Sequence, residues 1–312
     1  MSDDLPLIGH SAQEREFLDR LQSGKLHHGW IVQGPSGIGK ARLVRRLSAH
    51  ILSMMDKDYL PENGPVASVL SHVIGGNHPD LMWVERELND KGKLKQDISV
   101  DQVRELNRFF SLKPALGGWR VGVLDALDEA NRNGLNALLK TLEEPPGRSV
   151  LFLISHGTAP PLATIRSRCQ VMRLSTLSDD EVTEVLAAQG VENRTEVATL
   201  ARGRPGRGIE LADARGISAA NAARTLIRAM PRPGPSHLAN AFTASTHDGS
   251  TLRAFSDELL AWLSSEAEER PEVAQLWLDA RETMNIYANL HLTEAQTVAK
   301  LIAIAQNSAR LA

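Results

Sequence analysis

Three short stretches of this 312-residue chain carry residue types whose spacing suits phosphate chemistry. In the first, Gly34, Pro35, Ser36, Gly37, Ile38, Gly39 and Lys40 form a Gly-x-x-x-x-Gly-Lys run. It follows an apolar segment, Trp30–Gln33, and opens a helical one at Ala41. In that setting the glycines let backbone N–H groups turn toward a phosphate, the helix N-terminus adds partial positive charge, and the lysine reaches the terminal phosphates. The next position should supply a hydroxyl to Mg²⁺, and Ala41 has none to offer. In the second stretch the apolar run Val121–Leu124 ends in Asp125, a Walker B-like acid, and Ala126 follows it. In the third, Arg166-Ser-Arg168 stands just before Cys169. A guanidinium is planar, permanently charged and bidentate, which fits it to phosphate. Each stretch also has a plainer reading: a tight strand-to-helix turn with a solvated lysine, an acid closing a strand, a structural ion pair.

The elements that must position these residues are legible in outline. Candidate strands are Trp30–Gln33, Leu81–Val84, Arg120–Leu124, Val150–Ile154 and Gln170–Leu174. They alternate with amphipathic stretches, the pattern of a parallel α/β sheet. Ser99 and Gln102 form a capping box for a helix carrying Val103, Leu106 and Phe110. Leu135, Leu138, Leu139 and Leu142 share a second helical face, which Pro145 and Pro146 end. Residues 56–80, rich in proline and glycine, read as an irregular excursion. Asp128 and Glu129 read as solvated acids turned away from the site. Beyond Ser175 strand-like runs become scarce. Ser178 and Glu181, and later Thr293 and Gln296, are further capping boxes, and Pro231–Pro235 is the clearest linker.

Composition bounds the answer. The apolar fraction of 42% and formal net charge of -3 are those of a folded globular chain without bulk affinity for nucleic acid. A single cysteine, Cys169, excludes an internal disulfide and a four-cysteine zinc site. The N-terminal Met1–Pro6 lacks the basic and apolar regions of a secretory signal, and no apolar run approaches the ~18 residues of a membrane span. The expected location is cytoplasmic.

The run Asn136-Ala-Leu-Leu-Lys-Thr-Leu-Glu-Glu-Pro-Pro146, with Ile165-Arg-Ser-Arg-Cys169 after it, resembles the bacterial clamp-loader ATPases of the AAA+ class. With Leu26–Trp30 and the altered phosphate loop, it is most similar to the delta-prime family of the DNA polymerase III clamp loader. The motif-level similarity covers roughly residues 25–175. It implies an AAA+ P-loop domain over 1–175, a small helical lid over 176–232 and an all-α collar over 233–312. It implies that Arg168 is an arginine finger acting in trans on a neighbour's ATP. Gly34–Ala41 would then be a vestigial nucleotide loop, Asp125 the Walker B acid, and Ser155 a sensor-like residue with a structural cap as its rival. Hydrolysing relatives carry a glutamate where this chain has Ala126. Arg207 is a possible relic of a second sensor, with Arg202 and Arg204 as competitors. Many relatives carry a zinc module near 51–80. This chain has only His72 and His78 there, so no metal is expected, and no cofactor beyond weakly held ATP or ADP.

The implied partners are motor and delta-type subunits in a hetero-pentamer, with sliding clamp and primer-template DNA met through the complex, and no membrane. Seven arginines between Arg202 and Arg232 form either a DNA-tracking face or a solvated one. Two rival functions stand beside the scaffold reading: a hydrolysing AAA+ ATPase, and a P-loop small-molecule kinase.

Overall fold

Short runs form the sheet, buried on both faces in β1, β3 and β4 and half-buried in the two edge strands: β1 (Gly29–Gln33), β2 (Leu81–Glu85), β3 (Arg120–Asp125), β4 (Ser149–Ser155) and β5 (Gln170–Arg173). The structure, a computed structural model, describes residues 7–54, 65–89, 94–95, 97–157, 160–290 and 292–311. The readings made on Met1–Pro6 and on residues 55–64 lie outside them. Each strand falls within a residue or two of its expected span. All pairs are parallel and the order is β2-β3-β4-β1-β5. The carboxyl ends of all five strands therefore share one edge of the sheet, the edge where open α/β sheets bind ligands.

Side chains alternate between the two faces, as the pleat requires. Trp30 and Phe152 meet Phe17 of α1 (Ser11–Gln22), with ring centroids 5.0 and 5.6 Å away. That face also carries α2 (Lys40–Leu52), whose Leu43, Val44, Leu47 and Ile51 are fully buried. On the other face Ile31, Leu124, Leu151 and Leu153 pack with Val103, Leu106 and Phe110 of α4 (Val100–Ser111) and Leu138 and Leu142 of α5 (Arg132–Glu143). Each large side chain buried in this way contributes roughly 1.5–3 kcal/mol. The capping box of α4 forms as expected: the Ser99 amide donates to Gln102 Oε1 and the Gln102 amide to Ser99 Oγ.

The excursion at 56–80 is not wholly irregular. Pro65–Ile74 is a helix, α3, with Pro65 in its first turn, where a missing N–H costs nothing. After α6 (Ala163–Arg166) and β5, Ser178 and Glu181 cap α7 (Asp179–Ala188) reciprocally.

The chain divides into two compact units, Met1–Ala188 with Arg202–Gly206, and Gln189–Ala201 with Arg207–Ala312. These boundaries differ from the expected 175 and 232, because α7 groups with the sheet. The helices from α8 (Arg194–Ala201) onward belong, apart from Pro205 and Gly206 of α9 (Pro205–Leu211), to one body. In it α10 (Ala214–Arg228) packs on α12 (Gly249–Glu269) and on α11 (Pro235–Ser245), with α13 (Ala274–Leu290) and α14 (Glu294–Arg310) completing the layer. The proline-rich linker at 231–235 is thus a turn between packed helices within that unit. Thr293 and Gln296 cap α14 as expected. Among the described residues no helix is long and apolar enough to cross a membrane.

Candidate phosphate-loop site and a distant arginine

The run Gly34–Gly39 is the connection from β1 to α2, at the carboxyl edge of the sheet. Gly39 has φ 96°, a value an L side chain resists, and it turns the chain into the helix. The loop's carbonyls are engaged within the same unit. Lys40 Nζ donates to the carbonyls of Gly34 at 2.7 Å and Pro35 at 2.6 Å. The amide of Gly206 donates to Gly37 at 2.8 Å, and His10 Nε2 donates to Ile38 at 3.0 Å. These contacts brace the loop from within the first unit.

Lys40 is 3% exposed. Burial pushes its ammonium down to about 8, against the opposing pull of Asp125 and Asp128. Asp125 ends β3 in register with Glu85 at the end of β2. Burial, and then the Glu85 charge, raise its carboxyl to about 6, with Lys40 pulling the other way. Ser155 ends β4 opposite Gln33 and is fully buried. The expected site residues Gly34–Lys40, Ala41, Asp125 and Ser155 are thus gathered at one edge. Ala41 opens α2 beside Lys40, and the buried Ala126 follows Asp125, so neither position offers a metal ligand or a base.

Asp128 differs from its reading as a solvated acid. Ser155 Oγ donates to its Oδ1 at 3.0 Å, and the His156 amide donates to its Oδ2. A short 3-10 turn, Leu127–Glu129, rotates it inward, while Glu129 pairs with Arg86 at 2.7 Å. Glu85, Asp128, His10 and Gly206 are the contributors that sequence reasoning missed. Only Glu85 had a signal: it closes its strand as Asp125 closes the next.

His72 and His78 have backbone partners. His72 Nδ1 bonds the Ser68 carbonyl at 2.9 Å, and His78 Nδ1 accepts from the Asp80 amide at 3.2 Å. Among the described residues no group of three or more His, Cys, Asp or Glu is placed to hold a metal.

Arg168 lies elsewhere. It occupies the turn between α6 and β5, at the amino edge of the sheet. β1 and β5 run in parallel from Trp30 beside Gln170 to Gln33 beside Arg173. At about 3.3 Å per residue, the strand alone separates that turn from the loop after Gln33 by about 10 Å. The Arg168 side chain is 35% exposed, and its Nη2 lies 2.7 Å from Glu143 Oε1. Its Nη1 donates to the Thr164 carbonyl at 2.9 Å. Beside it, burial raises the Cys169 thiol to about 12, which disfavours the thiolate. Cys169, Leu142 and the Arg168 carbonyl crowd Gly29, where a Cβ would lie 2.9–3.1 Å from all three.

In the second unit Arg207, 5% exposed, is committed to Glu258 at 2.6 Å and Asp257 at 3.4 Å. Arg224 shares Glu258 at 2.9 Å, whereas Arg215 and Arg228 of α10 are exposed and lie on well-separated faces of the helix. The arginines of α10 therefore do not form one basic face.

Residues 9–178 match the family model described as DNA polymerase III, delta subunit. DNA polymerase III subunit delta' of Pseudomonas aeruginosa is 39% identical over 142 residues, 46% of this chain and 41% of that one. The same subunit of Haemophilus influenzae is 33% identical over 195 residues, 61% of this chain and 56% of that one. The chain thus matches about half the length of these curated relatives. A gamma subunit-related protein of DNA polymerase III from Thermotoga maritima overlays with TM-score 0.49 at 16% identity, covering 95% of this chain and all of that one.

Proposed function

Because the chain belongs to the DNA polymerase III delta subunit family, we propose that it is a delta-prime-like AAA+ subunit of the replicative clamp loader. It works in the cytoplasm beside motor subunits and a delta-type subunit in a hetero-pentamer. That complex places the sliding clamp on primer-template DNA. The chain's own phosphate loop is a vestige that holds ATP or ADP weakly at most and hydrolyses little. Its contribution to chemistry is Arg168, supplied in trans to the ATP of the adjacent subunit, where the guanidinium stabilises charge building on the γ-phosphate.

One observation carries this reading: the loop and Arg168 stand at opposite edges of a single parallel sheet. An arginine at the amino edge lies away from a phosphate held at the carboxyl edge of the same chain, which supports a target held by another subunit. The absence of a metal hydroxyl at Ala41 and of a base at Ala126 argues against a hydrolysing motor. A small-molecule kinase would need the same metal site.

The test is Arg168→Ala in the reassembled clamp-loader complex. The variant subunit should fold and assemble normally. DNA-stimulated hydrolysis at the adjacent site should fall by about 10³-fold or more, the scale of trans-acting arginines. Undiminished turnover at that site would refute the assignment.

A further inference from the structure

The side chain that presents Arg168 has four rotatable bonds, yet its guanidinium is held at two points by its own chain. Nη1 donates to the Thr164 carbonyl at 2.9 Å and, more weakly, to Ser167 Oγ at 3.2 Å. Nη2 meets Glu143 Oε1 at 2.7 Å. These contacts engage Nη1 and Nη2 of a five-donor fork, and Nε has no partner among the described residues. The remaining donors are enough for a bidentate grip on a phosphate.

Glu143 is well placed to act as an anchor. It is the last residue of α5, just past Leu142, which is 2% exposed. The Leu142 carbonyl accepts His28 Nε2–H at 3.0 Å, and the Leu142 side chain packs against Gly29 at the start of β1. The Arg168 carbonyl and Cys169 Sγ close on the same glycine. The backbone of the carboxylate and the backbone of the arginine are therefore fixed to one point of the sheet, 25 residues apart in sequence. What remains adjustable is the pair of side chains, and they lock each other.

We propose that Glu143 is the positioning residue of the trans-acting arginine: it orients the Arg168 guanidinium before a neighbouring subunit's phosphate arrives. This rests on the reading of Arg168 given above. Ordering the fork in advance removes the rotamer cost from the step in which the phosphate is gripped, so the gain belongs to turnover rather than to substrate binding. Glu143 acts only through Arg168.

The experiment uses the full chain and the reassembled complex, comparing Glu143→Ala, Glu143→Gln, Arg168→Ala and the double variant Glu143→Ala/Arg168→Ala. In DNA-stimulated ATP hydrolysis, Glu143→Ala should lower kcat by about 2- to 5-fold with KM unmoved, the scale of a half-exposed ion pair. Glu143→Gln, which keeps the hydrogen-bond acceptor, should recover most of that loss. The double variant should be no worse than Arg168→Ala alone. In the free chain, ¹⁵N relaxation of the Arg168 Nε–H group should report greater motion in Glu143→Ala. A wild-type kcat in Glu143→Ala beside an impaired Arg168→Ala overturns the positioning role and leaves the trans-acting arginine standing. A raised kcat overturns it too, since the carboxylate would then restrain the arginine rather than orient it. An unimpaired Arg168→Ala overturns both readings.

Discussion

At the scale of single residues, the loop site is a cluster of buried, coupled charges. Asp125 sits among Glu85, Lys40 and Glu129 with its carboxyl raised to about 6, burial being the main cause. The folded state therefore holds a proton there between about pH 4 and 6 that the unfolded chain has released. The stability contributed by this group falls as pH rises through that window, and its full cost is present above pH 6. Asp125→Asn should accordingly stabilise the protein at pH 7.5 by about 1–3 kcal/mol, with the gain shrinking toward zero near pH 4. Urea denaturation at the two pH values measures it. A loss of stability at pH 7.5 would mean that the Lys40 pairing outweighs the burial cost. Lys40 carries the mirror-image strain: with its ammonium lowered to about 8, its desolvation cost is full below that pH and relieved only as pH climbs toward the ordinary lysine value.

At the scale of elements, the sheet positions the site and close packing positions the sheet. Gly122 on β3 faces α4, and a Cβ there would lie 2.6 Å from Phe110 Cζ and 2.8 Å from Leu106 Cδ1. Those atoms are buried ring and branch carbons with no room to retreat. Gly122→Ala should cost about 1–3 kcal/mol of stability, read from the denaturation midpoint. Such packing follows patterns the sequence displays. The strands were legible because parallel strands buried on both faces read as unbroken apolar runs, and α4 because Ser99 and Gln102 interact locally. α3 was obscured by the prolines and glycines around it, although Val66, Val69, Leu70 and Val73 keep helical spacing. The loop motif, Asp125, Ser155 and Arg168 were named from sequence alone. Their partners were not, because Asp128 reaches Ser155 across 27 residues, His10 reaches Ile38 across 28, and Glu143 meets Arg168 by long-range packing. No local pattern encodes such pairings.

At the scale of the whole molecule, the two units are stabilised differently. The first rests on its apolar sheet core. The second places a charged cluster inside its helices, where Glu258, 1% exposed at its side chain, is shared by Arg207 and Arg224. Truncating one member of a buried ionic cluster strands the others without water. Glu258→Ala should destabilise by about 3–5 kcal/mol, measured by chemical denaturation of the full chain. A change below 1 kcal/mol would show that water already reaches the guanidinium groups.

A sheet whose strands all run one way has a front and a back. This chain carries its loop at the front and its arginine at the back. Chains of this build set in a row, back to front, make one complete junction at each meeting, and the loop at the leading end meets no arginine at all. Only there is a loop without metal hydroxyl or base no loss. On the proposed reading, strand direction together with the altered loop assigns this chain to that end of the row, where it gives to one neighbour and receives from none.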